Sequence, residues 1–219
     1  MPEPFDAVLL DLYDTIVWSQ WFAMREQFAA RIGGRIDGSL LQKAFETTRP
    51  ARGVGAHPGV EGDIAAVLIA AGVQPESGLV RDLVQLERMH LATDVRLYDD
   101  VVPVLAELRE RGIKTALVSN CSHSTRPIVE RLELEQLFDE VILSFEVRVM
   151  KPDAAIYQIA LQRLGGVEPS RAVFIDDQPG YCDGARAIGL PTRLILRPNE
   201  DAPTDTRGHQ VVTDLWSLR

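Results

Sequence analysis

The chain has 219 residues, 46% of them hydrophobic and 25% charged, with a formal net charge of −9. This is the make-up of an ordinary globular protein, long enough for one domain that carries a sizeable insertion. It excludes a nucleic-acid binder, which needs a clustered basic face, and a membrane protein, because no apolar stretch approaches the ~20 residues that span a bilayer.

The N-terminal MPEPFDAVLL has no basic leader and meets Asp6 early, so no signal peptide is expected. The two cysteines, Cys121 and Cys182, form neither a CxxC nor a metal-finger spacing, and a reducing cytoplasm is the expected location. Without a secretory leader, the sequon Asn120-Cys121-Ser122 carries no weight.

Taken in chain order, the first apolar run is Ala7–Leu10, and it drives directly into Asp11. Residues 17–94 show no strand signal. They hold helical patterns at Trp21, Met24, Arg25 and Phe28, at Leu40–Thr47, at Ile64, Val67, Leu68 and Ala71, and at Leu79, Leu83, Leu86 and His90. From about residue 95, helices alternate with short apolar runs. Val101, Val104, Leu105 and Leu108 form a helix closed by Gly112, and Ala155, Ile156, Ile159, Ala160 and Leu164 form one closed by Gly165. The runs Thr115–Val118, Glu140–Leu143, Ala172–Ile175 and Thr192–Leu196 suit strands buried on both faces, and Gln210–Val212 suits an edge strand. The expectation is an α/β fold with a parallel sheet: residues 1–16 and 95–219 as core, and residues 17–94 as a helical cap over its crevice.

Polar chemistry gathers just past these strands: Asp11, then Ser119 and Asn120, then Lys151 before Pro152, then Asp176 and Asp177. In an open parallel sheet such loops converge on one crevice. Carboxylates gathered there repel one another unless a cation joins them, and Mg²⁺ prefers carboxylate oxygen, backbone carbonyl and water. Lys151 adds a fixed positive charge. Ser119, Asn120 and a helix start near Ser124 offer donors to an oxyanion. Asp11 can then act as a nucleophile that forms an aspartyl intermediate.

Four ordered segments, LLDLYDT, VSN, KP and FIDDQPGYCDGARAIG, resemble the motifs of the haloacid dehalogenase superfamily over nearly the whole chain outside the insertion. The resemblance implies a Rossmann-like core with a helical cap of subclass I. It implies Asp11 as nucleophile, Ser119 with Asn120 and Lys151 as the holders of the transferred group, and Asp177 as a Mg²⁺ ligand with Asp11 and the backbone carbonyl of Tyr13.

The match departs from the family's phosphatase pattern at Tyr13, where an acid–base aspartate is usual. Asp14, one place on, stands where glycine is commoner, and a shift of one residue turns a side chain elsewhere. Tyrosine at this position is similar to the dehalogenases, whose halide leaves without a proton. The pair Asp176-Asp177 is similar to the metal-binding form, and Tyr181 stands where dehalogenases place an aspartate. Three readings stay open: a Mg²⁺-dependent phosphohydrolase, a carbon–halogen hydrolase of 2-haloacids, and a weakly active binder. Tyr13, Asp14, Thr15 and Asp176 are candidates for acid–base work or substrate contact.

Other features are weighed against blander uses. Trp18, Trp21 and Phe22 could form a substrate wall or simply pack. Arg49 and Arg52 could reach an anionic substrate or lie on the surface. His123 alone among the histidines lies near a motif, and Gly53-Val54-Gly55 reads as a flexible cap loop. Cys121 and Cys182 read as buried packing, and Asp183 as a solvated residue of the last helix. The expectation is a cytoplasmic hydrolase, monomer or homodimer, acting on a small anionic metabolite.

Overall fold

The computed structural model describes residues 5–19, 21–33, 36, 38–198 and 205–218, with backbone alone for Trp21 and Phe22. In chain order the elements are β1 (Ala7–Leu10), β2 (Val17–Ser19), α1 (Trp21–Ile32), α2 (Gly38–Gly53), α3 (Gly59–Ala70), α4 (Ser77–Thr93), β3 (Val95–Leu97) and α5 (Val101–Glu110). There follow β4 (Lys114–Ser119), α6 (Arg126–Arg131), α7 (Leu134–Leu137), β5 (Glu140–Leu143), α8 (Ser144–Val147) and α9 (Ala154–Arg163). The last are β6 (Ala172–Asp176), α10 (Pro179–Ala187), β7 (Thr192–Ile195) and β8 (Gln210–Val212).

Six strands form a parallel sheet in the order β5-β4-β1-β6-β7-β8. Successive side chains of a strand point to opposite faces, and here both faces are covered. Val8 and Leu10 pack with Val104, Leu108 and Ile128 on one side, and Ala7 and Leu9 pack with Ile156, Tyr157 and Ala160 on the other. This explains why the strands read as continuous apolar runs instead of alternating ones. The strand order reverses direction at β1, so the carboxyl ends of β1 and β6 lie side by side at the switch point where α/β sheets open a crevice. Gln210–Val212 is the edge strand expected of it.

Helices α1 to α4 pack on one another around their own apolar cluster, including Met24, Phe28, Leu41, Ile64, Leu68 and Leu83. The expectation that residues 17–94 hold no strand is corrected at Val17–Ser19. This segment pairs antiparallel with Val95–Leu97, Val17 facing Leu97 and Ser19 facing Val95, to form a two-stranded ribbon at the base of the insert. Three residues are too few for periodicity to register. The loop reading of Gly53-Val54-Gly55 holds for Val54 and Gly55, which form a turn, and is corrected at Gly53. Helix α2 runs through Gly53, and Gly55 has φ +62° with its missing Cβ only 2.4 Å from the Phe145 carbonyl oxygen, so the glycine marks a close approach of insert to core.

Candidate active site

The site is built where β1, β4 and β6 end. Asp11 follows β1 directly, and its N–H donates to the Ile175 carbonyl at 3.0 Å, which continues the sheet's bonding past the strand. Lys151 is buried, and its ammonium donates to Asp11 Oδ1 and, at 2.6 Å, to Asp176 Oδ2. Asp176 Oδ1 accepts from the Gln178 N–H at 2.8 Å, so this carboxylate ties the lysine to the start of α10. Asp177, the next residue, points the other way and lines a cavity of about 400 Å³ together with Asp11, Tyr13 and Asp14.

The expected residues divide sharply. Asp11, Tyr13, Asp14, Asn120, Asp177, Arg49 and Arg52 line this cavity, joined from the insert by Met24, Arg25, Phe45, Glu46 and Glu87. Asp176 and Lys151 lie behind it, buried. Asn120, expected to help hold the transferred group, lines the cavity and has a further task. Its Nδ2 donates to the Lys151 carbonyl at 2.8 Å and its Oδ1 accepts the Lys151 N–H at 2.7 Å, so its side chain fixes the lysine's backbone. Ser119 is wholly buried at the end of β4, and apart from a weak approach to the Cys121 thiol its hydroxyl has no hydrogen-bond partner among the described residues.

Two candidates lie away from the chemistry. Thr15 is fully buried, and its carbonyl accepts from Arg197 Nε at 3.0 Å and Nη2 at 2.9 Å. The chain has turned away from the crevice by that point. Trp18 sits on the ribbon, where the Arg96 guanidinium lies 4.7 Å from its ring, and it does not line the cavity. The side chains of Trp21 and Phe22 fall outside the described residues. Asp183 pairs with Arg207 at 2.9 Å and with His209 at 3.0 Å, a surface role.

The electrostatics follow from burial. Desolvation raises the Asp11 carboxyl to about 7, with Lys151 pulling it down and Asp176 pushing it up. Burial raises Asp177 to about 7, and the charge of Asp11 is the next cause. Burial raises Asp176 to about 6, again against the pull of Lys151. Burial alone would lower the Lys151 ammonium, but its two carboxylates reverse this and hold it above its ordinary value. Tyr13 is pushed well above the ordinary phenol range, chiefly by burial, and its hydroxyl lies 3.0 Å from Thr125 Oγ1. Burial likewise raises both thiols, Cys121 to about 11, which agrees with their reading as packing. Asp14 has φ +54°, a conformation that aspartate tolerates and glycine takes freely.

Among the described residues, no group of three or more His, Cys, Asp or Glu side chains could hold an ion. Mg²⁺ ordinarily takes only one or two carboxylates beside waters and substrate oxygens. Asp11 and Asp177 face one cavity, and Asp11 raises Asp177 by its charge. A pair of this kind fits such an ion, whose charge would relieve the repulsion.

Sequence reasoning missed the polar seam between insert and core. Glu87 of α4 accepts from Ser124 Oγ at 2.8 Å, and Asp63 of α3 meets His123 Nδ1 at 2.9 Å. Arg49 Nη2 donates to Tyr181 OH at 3.2 Å, and Ser144 Oγ donates to the Gly53 carbonyl at 2.6 Å. A signal was available. Val80, Leu83, Val84, Glu87 and Leu91 form one buried helical stripe, and a carboxylate within such a stripe needs a partner from elsewhere.

Sheet order and strand-end cluster together define a doubly wound α/β enzyme with a helical insert contributing to its crevice. A sequence model of the haloacid dehalogenase-like hydrolases matches residues 5–189, and the chain belongs to that family of hydrolases. It is 32% identical over 197 residues to phosphatase MT3486 of Mycobacterium tuberculosis, covering 88% of this chain and 80% of that protein. It is 36% identical over 101 residues to an (S)-2-haloacid dehalogenase of Pseudomonas sp. strain YL, covering 46% of this chain and 43% of that one. The crystal structure of the HAD family enzyme bt-2542 from Bacteroides thetaiotaomicron shares the fold, with a TM-score of 0.73 at 17% identity over 91% of this chain and 97% of that one. Among the described residues no helix is long and apolar enough to cross a membrane.

Proposed function

We propose that the chain is a Mg²⁺-dependent phosphohydrolase of a small anionic metabolite, with Asp11 as nucleophile. The observation that carries this reading is the division of labour between Asp176 and Asp177. Asp176 is spent on Lys151, while Asp177 is left facing the same cavity as Asp11. A second carboxylate beside the nucleophile hinders attack on an anionic substrate unless a cation is bound. Mg²⁺ held by Asp11 and Asp177 would supply charge neutralisation for the phosphoryl oxygens. Lys151 orients Asp11 and favours its ionised form against the opposing effect of burial, and Asn120 holds Lys151. Ser119 is wholly buried and does not line the cavity, so the side-chain hydroxyls open to a phosphoryl group on the β4 side are those of Ser122, Ser124 and Thr125. Arg25, Arg49 and Arg52 give the insert side of the cavity a positive lining suited to an anionic substrate. Arg52 is held by Thr48 Oγ1 at 3.0 Å and the Phe45 carbonyl at 2.9 Å.

Carbon–halogen hydrolysis is the second reading. It is favoured by Tyr13, which burial keeps protonated and which therefore cannot serve as the usual acid–base. The deciding experiment measures phosphate release from p-nitrophenyl phosphate and acetyl phosphate, with and without Mg²⁺, beside halide release from 2-chloropropionate. Metal-dependent phosphate release that disappears in Asp11→Asn is the expected result. Metal-independent halide release overturns it in favour of dehalogenation. Silence on all three substrates alongside tight binding of Mg²⁺ and inorganic phosphate overturns it in favour of a binding protein.

A further inference from the structure

Phosphate esters of ordinary alcohols leave as alkoxides, which need a proton as the bond to phosphorus breaks, and the later attack by water needs a base. Tyr13 cannot meet either need. We propose that Glu87, delivered from helix α4 of the insert, is the proton donor and acceptor of the reaction. This rests on the phosphohydrolase reading and extends it to a residue far from all four motifs.

Glu87 lines the cavity that Asp11 lines and is only 6% exposed. The hydroxyl of Ser124 donates to its Oε2 at 2.8 Å, which fixes the carboxyl's orientation. The next residue, Thr125, is the one Tyr13 OH reaches, so Glu87 arrives from the insert at the place where the side chain of residue 13 points. Its surroundings suit the task. Burial is the main influence and raises its carboxyl to about 7. Ser124, Arg52 of α2 and Arg88 of its own helix act against this, and Asp63 of α3 acts with it. A group that titrates near neutrality both gives and takes a proton efficiently. The other acids of the cavity are less suited: Glu46 is exposed, Asp177 stands beside the nucleophile, and Asp14 lies at the turn after β1.

The proton balance closes over two steps. An Asp11 oxygen attacks phosphorus, the bond from phosphorus to the leaving oxygen breaks, and the Glu87 proton passes to that oxygen to give the alcohol. The Glu87 carboxylate then takes a proton from water as the water oxygen attacks the aspartyl phosphate. The bond from phosphorus to Asp11 breaks, releasing inorganic phosphate and restoring both carboxyl groups.

The test is Glu87→Gln, which keeps the shape and the acceptor for Ser124. On an alkyl phosphate, turnover is expected to fall by about 10²–10⁴-fold. Acetyl phosphate has an acidic leaving group. The variant should release acetate in a single burst and then stall, with one phosphoryl group on Asp11 visible by intact-protein mass spectrometry. Ser124→Ala, which keeps the carboxyl but loses its orienting bond, should lose less on the alkyl phosphate. Equal turnover of variant and parent on both substrates overturns the proposal. A uniform loss without a burst also overturns it, since that marks a structural role, and so does a burst that appears in Asp14→Asn but not in Glu87→Gln. If the unaltered enzyme releases no phosphate from any of these substrates, the phosphohydrolase reading itself fails, a result distinct from each of the others.

Discussion

Replacing Lys151 by methionine removes the ammonium while keeping a long apolar stem. In the native protein that ammonium is fully buried, bonded to Asp11 and to Asp176 at 2.6 Å, and lies 5.4 Å from the Phe174 ring and 5.1 Å from the Tyr181 ring. Its loss leaves two carboxylates in a site with little access to water. Breaking a buried pair by removing one partner costs roughly 3–5 kcal/mol, a large share of the ~5–15 kcal/mol that keeps a typical protein folded. In a chain of this size the loss should lower the melting temperature by roughly 6–20 °C. The companion variant Asp176→Asn removes one of the stranded charges. The double variant should therefore lose less than the sum of the two single losses, by on the order of 1–3 kcal/mol. Urea unfolding followed by circular dichroism, with the midpoint and slope compared across the cycle, measures both quantities. A loss below about 1 kcal/mol in Lys151→Met, or additivity within ~0.5 kcal/mol, would show that the lysine does not hold these carboxylates together.

Gly184→Ala should destabilise the core by roughly 1–3 kcal/mol, more than the ~1 kcal/mol that alanine returns in helix propensity. The new Cβ would stand 2.5 Å from the Pro152 carbonyl oxygen and 2.6 Å from its Cβ, so the residue after Lys151 must move and phosphate release should fall as well. Arg197→Met should cost roughly 3–5 kcal/mol in a thermal melt. It strands Asp100, which otherwise accepts from Arg197 at 2.8 and 2.9 Å and from the Leu215 N–H at 2.7 Å. Glu87→Gln should alter the pH dependence of stability. Burial raises the carboxyl from 4.5 to about 7, so the folded state holds its proton more tightly than the unfolded chain. That contribution is complete below pH ~4.5 and is lost as pH rises to about 7. The variant should match the parent near pH 4 and exceed it by up to about 3 kcal/mol at pH 8, and unfolding midpoints that shift equally at both pH values would contradict this.

The residues legible in the sequence are those whose position follows from a strand's end. Asp11, Ser119, Asn120, Lys151, Asp176 and Asp177 could be gathered because an apolar run locates the end of a parallel strand and the sheet does the rest. Their tasks were less legible. Adjacent residues past a strand face opposite ways, which is why Asp176 is spent on the lysine while Asp177 meets the cavity. Asn120 is occupied by a backbone thirty-one residues on, and no local pattern records such a pairing. Thr15 and Trp18 drew attention by nearness in sequence to Asp11, but the chain turns after Asp14 and carries both away. Glu87 and Asp63 were hidden for the opposite reason. Each lies within an apolar helical stripe, and its partner on the core is set by tertiary packing alone.

The ribbon of β2 and β3 has a consequence beyond joining two parts. Its strands pair with each other and not with the six-stranded sheet, so both crossings of the chain occur at one narrow neck. Descendants of such a gene can lengthen, shorten or replace everything above that neck without disturbing the register of a single sheet strand. The nucleophile and its lysine below and the surface that selects their target above are therefore free to diverge at different rates, with Glu87 the one reacting group that any change above the neck must keep in place.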